Sequence, residues 1–152
     1  MVTTNTLDRF DLAIVEALRE NARLTITELA ELVGLTKTPV QLRLKRLVND
    51  GIIRGFHARV DHALLGRSHV AFVQVRLDKT TARALEAFNQ AVREIGTIEQ
   101  CHMIAGDYDY LLKVRTADIE TYREVLGERI SALPHVAHTA THVAMLSVVD
   151  NG

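Results

Sequence analysis

The sequence TITELAELVGLTKTPVQLRLKRL, residues 25–47, determines how the first part of this chain folds. Thr25 is followed three residues later by Glu28, the spacing of a capping box at the start of a helix, and apolar residues then recur at helical spacing. Gly34 suits the left-handed position at which a helix ends. Thr36 can cap a second helix with Pro39 in its first turn, where a missing N–H costs little. The stretch therefore predicts two short helices joined by a tight turn.

The second predicted helix, at about Thr36–Asn49, has two unlike faces. Val40, Leu44 and Leu47 form an apolar stripe that should pack inward. The opposite side and its flanks collect Lys37, Thr38, Gln41, Leu42, Arg43, Lys45 and Arg46. Cations neutralise DNA phosphates, and Gln, Lys and Arg can pair with base edges in the major groove. The pattern predicts a helix-turn-helix at about residues 26–46, with this helix as the recognition helix. An ordinary pair of surface helices with solvated charges is the alternative.

The charge of the chain is unevenly distributed. The 152 residues carry a formal net charge of −1, but residues 36–60 hold six basic residues against Asp50 alone, a net of +5, so the remainder carries −6. A basic segment on an acidic body predicts a local site for a polyanion. The single Cys101 excludes an internal disulfide and suits a reducing compartment. With no signal peptide and no apolar run of membrane-spanning length, we expect a soluble cytoplasmic protein without a membrane partner.

The residues around the helix pair complete a small module. Residues 7–20 predict a further helix with an apolar stripe, and Gly51 should end the recognition helix. Residues 52–60 read as a strand or wing. Together they predict a winged helix-turn-helix domain over residues 1–60, which is small for independent stability. Residues 61–68, which include Gly66, predict a linker.

From His69 onward the pattern changes to alternating strands and helices. The predicted strands are 70–77, 98–105, 109–116 and 136–149, and the predicted helices are 80–95 and 118–133. The order βαββαβ over residues 69–152 is that of ferredoxin-like domains, with one antiparallel sheet and both helices on one face. The other face also carries apolar residues, so a second copy of the sheet should cover it and the chain should form at least a dimer. The predicted fold class is α+β.

Six segments of the chain are distinctive: LDRFD at 7–11, ELA at 28–30, VGLTKTP at 33–39, RLKRL at 43–47, GIIRGF at 51–56 and AGDYDYLL at 105–112. These segments resemble the Lrp/AsnC family, also called leucine-responsive or feast/famine regulators. They occur in order and run essentially from end to end. The segments EQCH at 99–102 and YREVLGE at 122–128 look closest to the leucine-responsive branch.

The resemblance implies an N-terminal DNA reader and a C-terminal, ACT-like sandwich that pairs subunits and senses amino acids. It implies dimers that assemble into an octamer of four dimers. It also implies an effector, leucine or another amino acid, bound where dimers meet, without a cofactor or metal. The turn that matches the family's effector-response loop comprises Gly106, Asp107, Tyr108 and Asp109. From the residues alone, a glycine lets backbone approach a ligand and a carboxylate can meet an α-ammonium group. A plain β-turn favours the same residue types.

Eight residues are the expected DNA contacts. Base reading or positioning on phosphates is expected of Thr38, Gln41, Lys45 and Arg46. Contact with the DNA backbone is expected of Lys37, Arg43 and Arg54. The eighth residue, Thr36, stands at the N-cap. In a dimer, two recognition helices would enter successive major grooves about 34 Å apart. The implied function is a nucleoid-associated, sequence-specific regulator of amino-acid metabolism that binds double-stranded DNA and answers to an amino acid.

Other functions stay open at this point. Some sirohaem decarboxylases share the two-domain architecture, but the basic recognition helix and the intact turn argue against such an enzyme. An amino-acid sensor that has lost DNA binding is the other alternative, but the net charge of +5 over residues 36–60 favours a protein that still binds DNA. His138 and His142 are four residues apart in a predicted strand, so about 13 Å separates them, which is too far for one metal ion. Phosphate-binding and hydrolase motifs are absent from the sequence.

Overall fold

The computed structural model describes residues 7–150, which divide into two compact units at the Arg59–Val60 junction. The first unit consists of three helices, α1 (Arg9–Glu20), α2 (Ile26–Val33) and α3 (Lys37–Asn49). All three predicted helices are therefore confirmed. Each helix contributes two buried apolar residues to one core, which comprises Ile14, Leu18, Leu29, Ala30, Val40 and Leu47.

The helix ends follow local hydrogen bonding. α1 begins two residues later than predicted because Asp8 is its N-cap and forms a capping box with Asp11. The predicted box of Thr25 and Glu28 at the start of α2 is confirmed, as is Gly34 in the left-handed conformation at its end, with φ 71°. Thr36 occupies the N-cap of α3, although within the described chain its hydroxyl makes no capping hydrogen bond.

The strand predicted at residues 52–60 is wrong, since none of these described residues forms a strand. After Gly51, Ile53 packs against the helical core, and residues 54–60 continue exposed and irregular. An alternating sequence forms a strand when a neighbouring strand supplies the ladder of hydrogen bonds. Among residues 7–59 there is no strand to supply it. The predicted linker contains a hydrogen-bonded turn, in which Asp61 Oδ1 accepts hydrogen bonds from the N–H groups of Ala63 and Leu64.

The second unit is a four-stranded antiparallel sheet with helices. Its elements are β1 (His69–Leu77), α4 (Ala82–Arg93), β2 (Ile98–Met103), β3 (Tyr110–Thr116), α5 (Ile119–Glu124) with a π-helical continuation (Val125–Ile130), and β4 (Val136–Val143). The strand order is β2-β3-β1-β4, so the first and third strands are central. This is the order of a ferredoxin-like βαββαβ unit, and it confirms the α+β prediction.

One face of this sheet is buried against the helices. Val73 and Val75 of β1 and Leu112 of β3 are fully buried and belong to one core with Phe88 of α4 and Ile130 of the π-helical turn. Side chains alternate along a strand, so the intervening residues lie on the other face. That face carries more polar residues, including the buried Lys113 and the half-buried Gln74, and the exposed residues Phe72, Arg76, His138 and His142.

Two strands end earlier than predicted. β2 ends at Met103 rather than residue 105, and β4 ends at Val143 rather than residue 149. β4 stops because the N–H of Ala144 makes a last bond to Val70 O, beside the start of its partner β1. Residues 144–150 then return towards the open face of the sheet, where the carboxylate of Asp150 bonds Lys113 Nζ at 2.7 Å. Over the described range, every helix is too short or too polar to span a bilayer.

Candidate functional site

The exposed surface of α3 carries one strip of polar and apolar side chains. Val40 and Leu47 are fully buried and Leu44 is half-buried, which confirms the predicted inward stripe. Thr38, Gln41, Leu42 and Lys45 are exposed on the other side; we call these four residues the groove strip. Leu42 is 64% exposed, and an apolar side chain in such a strip can contact a thymine methyl group. The strip offers donors, a cation and apolar contact on one helix face.

The arginines of α3 differ from the groove strip because acids of α1 bind them. Asp11 is 1% exposed, and its two carboxylate oxygens accept from Arg43 Nη1 at 2.8 Å and from Arg46 Nη2 at 2.5 Å. The Arg43 guanidinium also lies 2.7 Å from the carboxylate of Asp8. We call these four residues, Asp8, Asp11, Arg43 and Arg46, the α1–α3 ion network. It ties α3 to α1.

The hydrogen bonds of the α1–α3 ion network alter two pKa values. Those that Arg43 donates to Asp11 and Asp8 raise the pKa of its guanidinium. The N–H of Asp11 donates to the Asp8 carboxylate and, together with Arg43, lowers the pKa of Asp8. Both shifts favour the charged forms of Asp8 and Arg43, whose opposite charges lie next to each other in the network.

The sequence alone did not lead us to predict that Asp8 and Asp11 bind the arginines of α3. A signal was present, because Asp11 lies on the apolar stripe of α1, three residues before Ile14 and seven before Leu18. A carboxylate on a buried stripe needs a cationic or hydrogen-bonding partner. The three remaining expected contacts, Thr36, Lys37 and Arg54, are exposed at or beyond the ends of α3.

The turn between β2 and β3 is the second candidate site. Gly106 and Asp107 are exposed, whereas Tyr108 and Asp109 are half-buried. Asp109 is held towards β1: its N–H donates to Val75 O and its carboxylate accepts from the N–H of Leu77 at 2.7 Å. The carbonyl of Asp107 accepts a hydrogen bond from Arg76. The backbone of the turn is thus fixed to the end of β1, and the Asp107 side chain projects to solvent.

Comparisons with known proteins match both units. Residues 7–54 match the model of a winged helix-turn-helix DNA-binding domain, and residues 70–152 match the Lrp/AsnC ligand binding domain. The chain belongs to the Lrp/AsnC family. These matches confirm the family that the sequence segments predicted. The Lrp/AsnC proteins it matches are transcription regulators by name, and the matches indicate regulators rather than enzymes.

Named relatives and a solved structure agree with this assignment. A proline dehydrogenase transcriptional activator of Rhizobium radiobacter is 56% identical over 149 residues, covering 98% of this chain and 96% of that protein. The leucine-responsive regulatory protein of Escherichia coli K12 is 39% identical and covers 93% of this chain and 87% of its own length. A transcriptional regulator of Neisseria meningitidis, solved in complex with L-Met, superposes with a TM-score of 0.87 at 29% identity, covering 95% and 94% of the two chains.

Proposed function

We propose that this Lrp/AsnC protein regulates a gene for proline dehydrogenase and that proline is its amino-acid effector. The observation that supports this most is the 56% identity, over nearly the full length of both chains, with a protein named as a proline dehydrogenase transcriptional activator. A second relative of that name, from Rhodobacter capsulatus, is 51% identical over 147 residues. Proline thereby replaces leucine as the first candidate among amino acids.

The groove strip is the proposed base-reading surface. Its four side chains project from a helix that α1 and α2 hold from behind, which is the arrangement by which helix-turn-helix proteins enter a major groove. Gln41 can pair with adenine and Lys45 with guanine or a phosphate. Lys37 and Arg54 are placed to meet phosphates, and Thr36 lies at the amino end of α3. Arg43 and Arg46 are proposed to support α3 because acids of α1 already bind them.

The turn of Gly106, Asp107, Tyr108 and Asp109 is the proposed effector site. Asp109 carries two hydrogen bonds within the sheet, so the exposed Asp107 is the better candidate to meet the ammonium group of an amino acid. Proposed assembly is a dimer through the open face of the sheet, and an octamer of four dimers. Exposed apolar residues at Met145, Leu146, Val148 and Val149 give the return segment surface to bury against another subunit.

DNA binding and amino-acid sensing are tested in one titration. Fluorescence anisotropy would follow the full chain binding to the DNA upstream of a proline dehydrogenase gene and to a shuffled fragment of the same length. We expect operator affinity in the range of specific regulators, about 10⁻⁸–10⁻¹¹ M at physiological salt. Proline should change it by about 5–150-fold. Equal affinity for both fragments would overturn the regulatory proposal.

Thermal shift against the twenty standard amino acids tests the effector separately. A ligand that binds the native protein raises the melting temperature, so proline should give the largest rise. Asp107→Asn should abolish that rise and leave DNA affinity unchanged. Glu128→Gln, which removes another exposed acid from the same unit, is the matched control and should keep it. A larger rise with a different amino acid would refute proline as effector without refuting DNA binding.

The sirohaem decarboxylase alternative has no supporting observation in the site. Two measurements test this alternative. The visible spectrum of the purified protein should lack haem absorption, and the protein should shift the electrophoretic migration of DNA in a salt-dependent way. A stoichiometric haem-like spectrum with no DNA binding would favour the enzyme.

A further inference from the structure

Arg43 and Arg46, which belong to the basic segment between positions 36 and 60, are bound by acids of α1. The carboxylate of Asp11 is buried, and each of its oxygens accepts from a different arginine of α3. Asp8 adds a second acid to Arg43. The net +5 of this segment is therefore not all available to a polyanion. Lys37, Lys45 and Arg54 remain exposed.

The position of these arginines on α3 gives the network a geometric role. Successive residues of an α-helix are about 100° apart, so Arg43 and Arg46 lie on the flank next to Leu42 and Lys45 of the groove strip. They are three residues apart and both are held by one carboxylate. Two anchors one turn apart fix the rotation of α3 about its axis. That rotation determines which side chains face the groove.

We propose that Asp11 is a positioning residue that sets the specificity of DNA binding. It holds Arg43 and Arg46 away from DNA phosphates and fixes the orientation of the groove strip. Phosphate contacts add affinity for every sequence, whereas base contacts distinguish sequences. Withholding two arginines from phosphates lowers nonspecific affinity, and fixing α3 favours the operator. This inference rests on the proposed DNA-binding function.

Asp11→Asn in the full chain tests the proposal. Asparagine keeps an oxygen that can accept the N–H of Asp8, which now donates to Asp11 at 3.1 Å, so the cap of α1 can persist. Affinity for the operator and for a shuffled fragment would be measured between 50 and 200 mM salt, a range chosen because phosphate contacts respond strongly there. We expect tighter nonspecific binding and a steeper salt dependence, by up to about two phosphate contacts at a slope of about 0.9 each. The ratio of specific to nonspecific affinity should fall roughly tenfold, the size of one good base contact.

Glu16→Gln is the matched control. Glu16 lies on the same helix as Asp11, is exposed, and bonds the exposed Arg19 at 2.9 Å rather than a residue of α3. The substitution changes net charge by the same amount, so it reports the effect of charge alone. It should leave both the specificity ratio and the salt slope at wild-type values. Loss of specificity in Glu16→Gln as large as in Asp11→Asn would overturn the proposal.

Arg46→Gln keeps the test decisive should Asp11→Asn fail to fold. If Arg46 acts through Asp11, this variant should lower the specificity ratio and leave the salt slope unchanged. A slope reduced by about one phosphate contact would mean that Arg46 contacts DNA directly and would overturn the proposal. So would unchanged values in a folded Asp11→Asn protein. If the wild-type protein does not prefer the operator, the proposed function itself fails, and this inference with it.

Discussion

Replacing Gly34 with alanine should destabilise the helical unit by about 1 kcal/mol. Gly34 ends α2 with φ 71° and ψ 34°, and its N–H bonds the carbonyls of the last turn. A residue with a Cβ costs about 1–2 kcal/mol in this left-handed conformation. Alanine also restricts the unfolded chain, which returns about 0.4–1 kcal/mol. A Cβ at this position meets no heavy atom within 4 Å, so no clash adds to the backbone cost.

Urea unfolding followed by far-UV circular dichroism measures this change. With a slope of about 1–3 kcal/mol per molar urea, 1 kcal/mol lowers the midpoint by about 0.3–1 M. Hydrogen exchange resolved by peptide would assign the loss to residues 26–49 rather than to the second unit.

Gly127→Ala is the control for the glycine substitution itself. Gly127 also has nothing within 4 Å of a built Cβ, but it lies in the π-helical turn and its φ is not positive. Alanine there should leave stability unchanged or raise it by about 0.5–1 kcal/mol. A Gly34→Ala protein as stable as the wild type, or an equal loss in both variants, would refute the assignment of a left-handed turn between the two helices.

Three further predictions concern stability and reactivity. Backbone N–H groups lower the pKa of the helix-capping acids Asp8, Glu28 and Asp118 in the folded protein. The stability that these ionised acids contribute is complete above their unfolded-state pKa values and is lost as pH falls through their folded-state pKa values. The urea concentration at the unfolding midpoint should therefore decrease below about pH 4. Burial raises the pKa of the Cys101 thiol, and because the thiolate reacts, iodoacetamide at pH 8 should modify Cys101 more slowly than free cysteine, a difference that urea should remove. Phe88→Ala should cost the second unit about 3–5 kcal/mol, measured by urea unfolding, because Phe88 is fully buried; a loss under 1 kcal/mol would contradict its place in the core.

Local signals made most elements predictable. The capping box at Thr25, the glycine at position 34 and the apolar stripes specify α2 and α3 through contacts within a few residues, and the structure has both helices at those places. The alternating strands around buried Val73 and Leu112 likewise specify the sheet of the second unit. Such features need little knowledge of the rest of the chain.

Features that depend on distant partners were harder to predict. Residues 52–60 were predicted to form a strand or wing, but a strand needs a neighbouring strand, and sequence alone does not show whether one is present. The end of β4 depends on where β1 begins. Arg43 and Arg46 read as DNA contacts because their partner Asp11 is more than thirty residues away. The position of Asp11 on the apolar stripe of α1 indicated that it needs a buried partner. Sequence spacing alone could not identify Arg43 and Arg46 as that partner.

The affinity of Gln41→Ala and Lys45→Ala proteins for operator DNA shows whether the groove strip of α3 reads duplex DNA. Gln41→Ala should weaken operator binding by about 1–3 kcal/mol and barely change nonspecific binding. Lys45→Ala should also reduce the salt slope if it neutralises a phosphate. Lys79→Ala and Gln90→Ala, polar residues outside the helical unit, should bind as the wild type does. Wild-type operator affinity in folded Gln41→Ala and Lys45→Ala proteins would show that the groove strip does not read DNA.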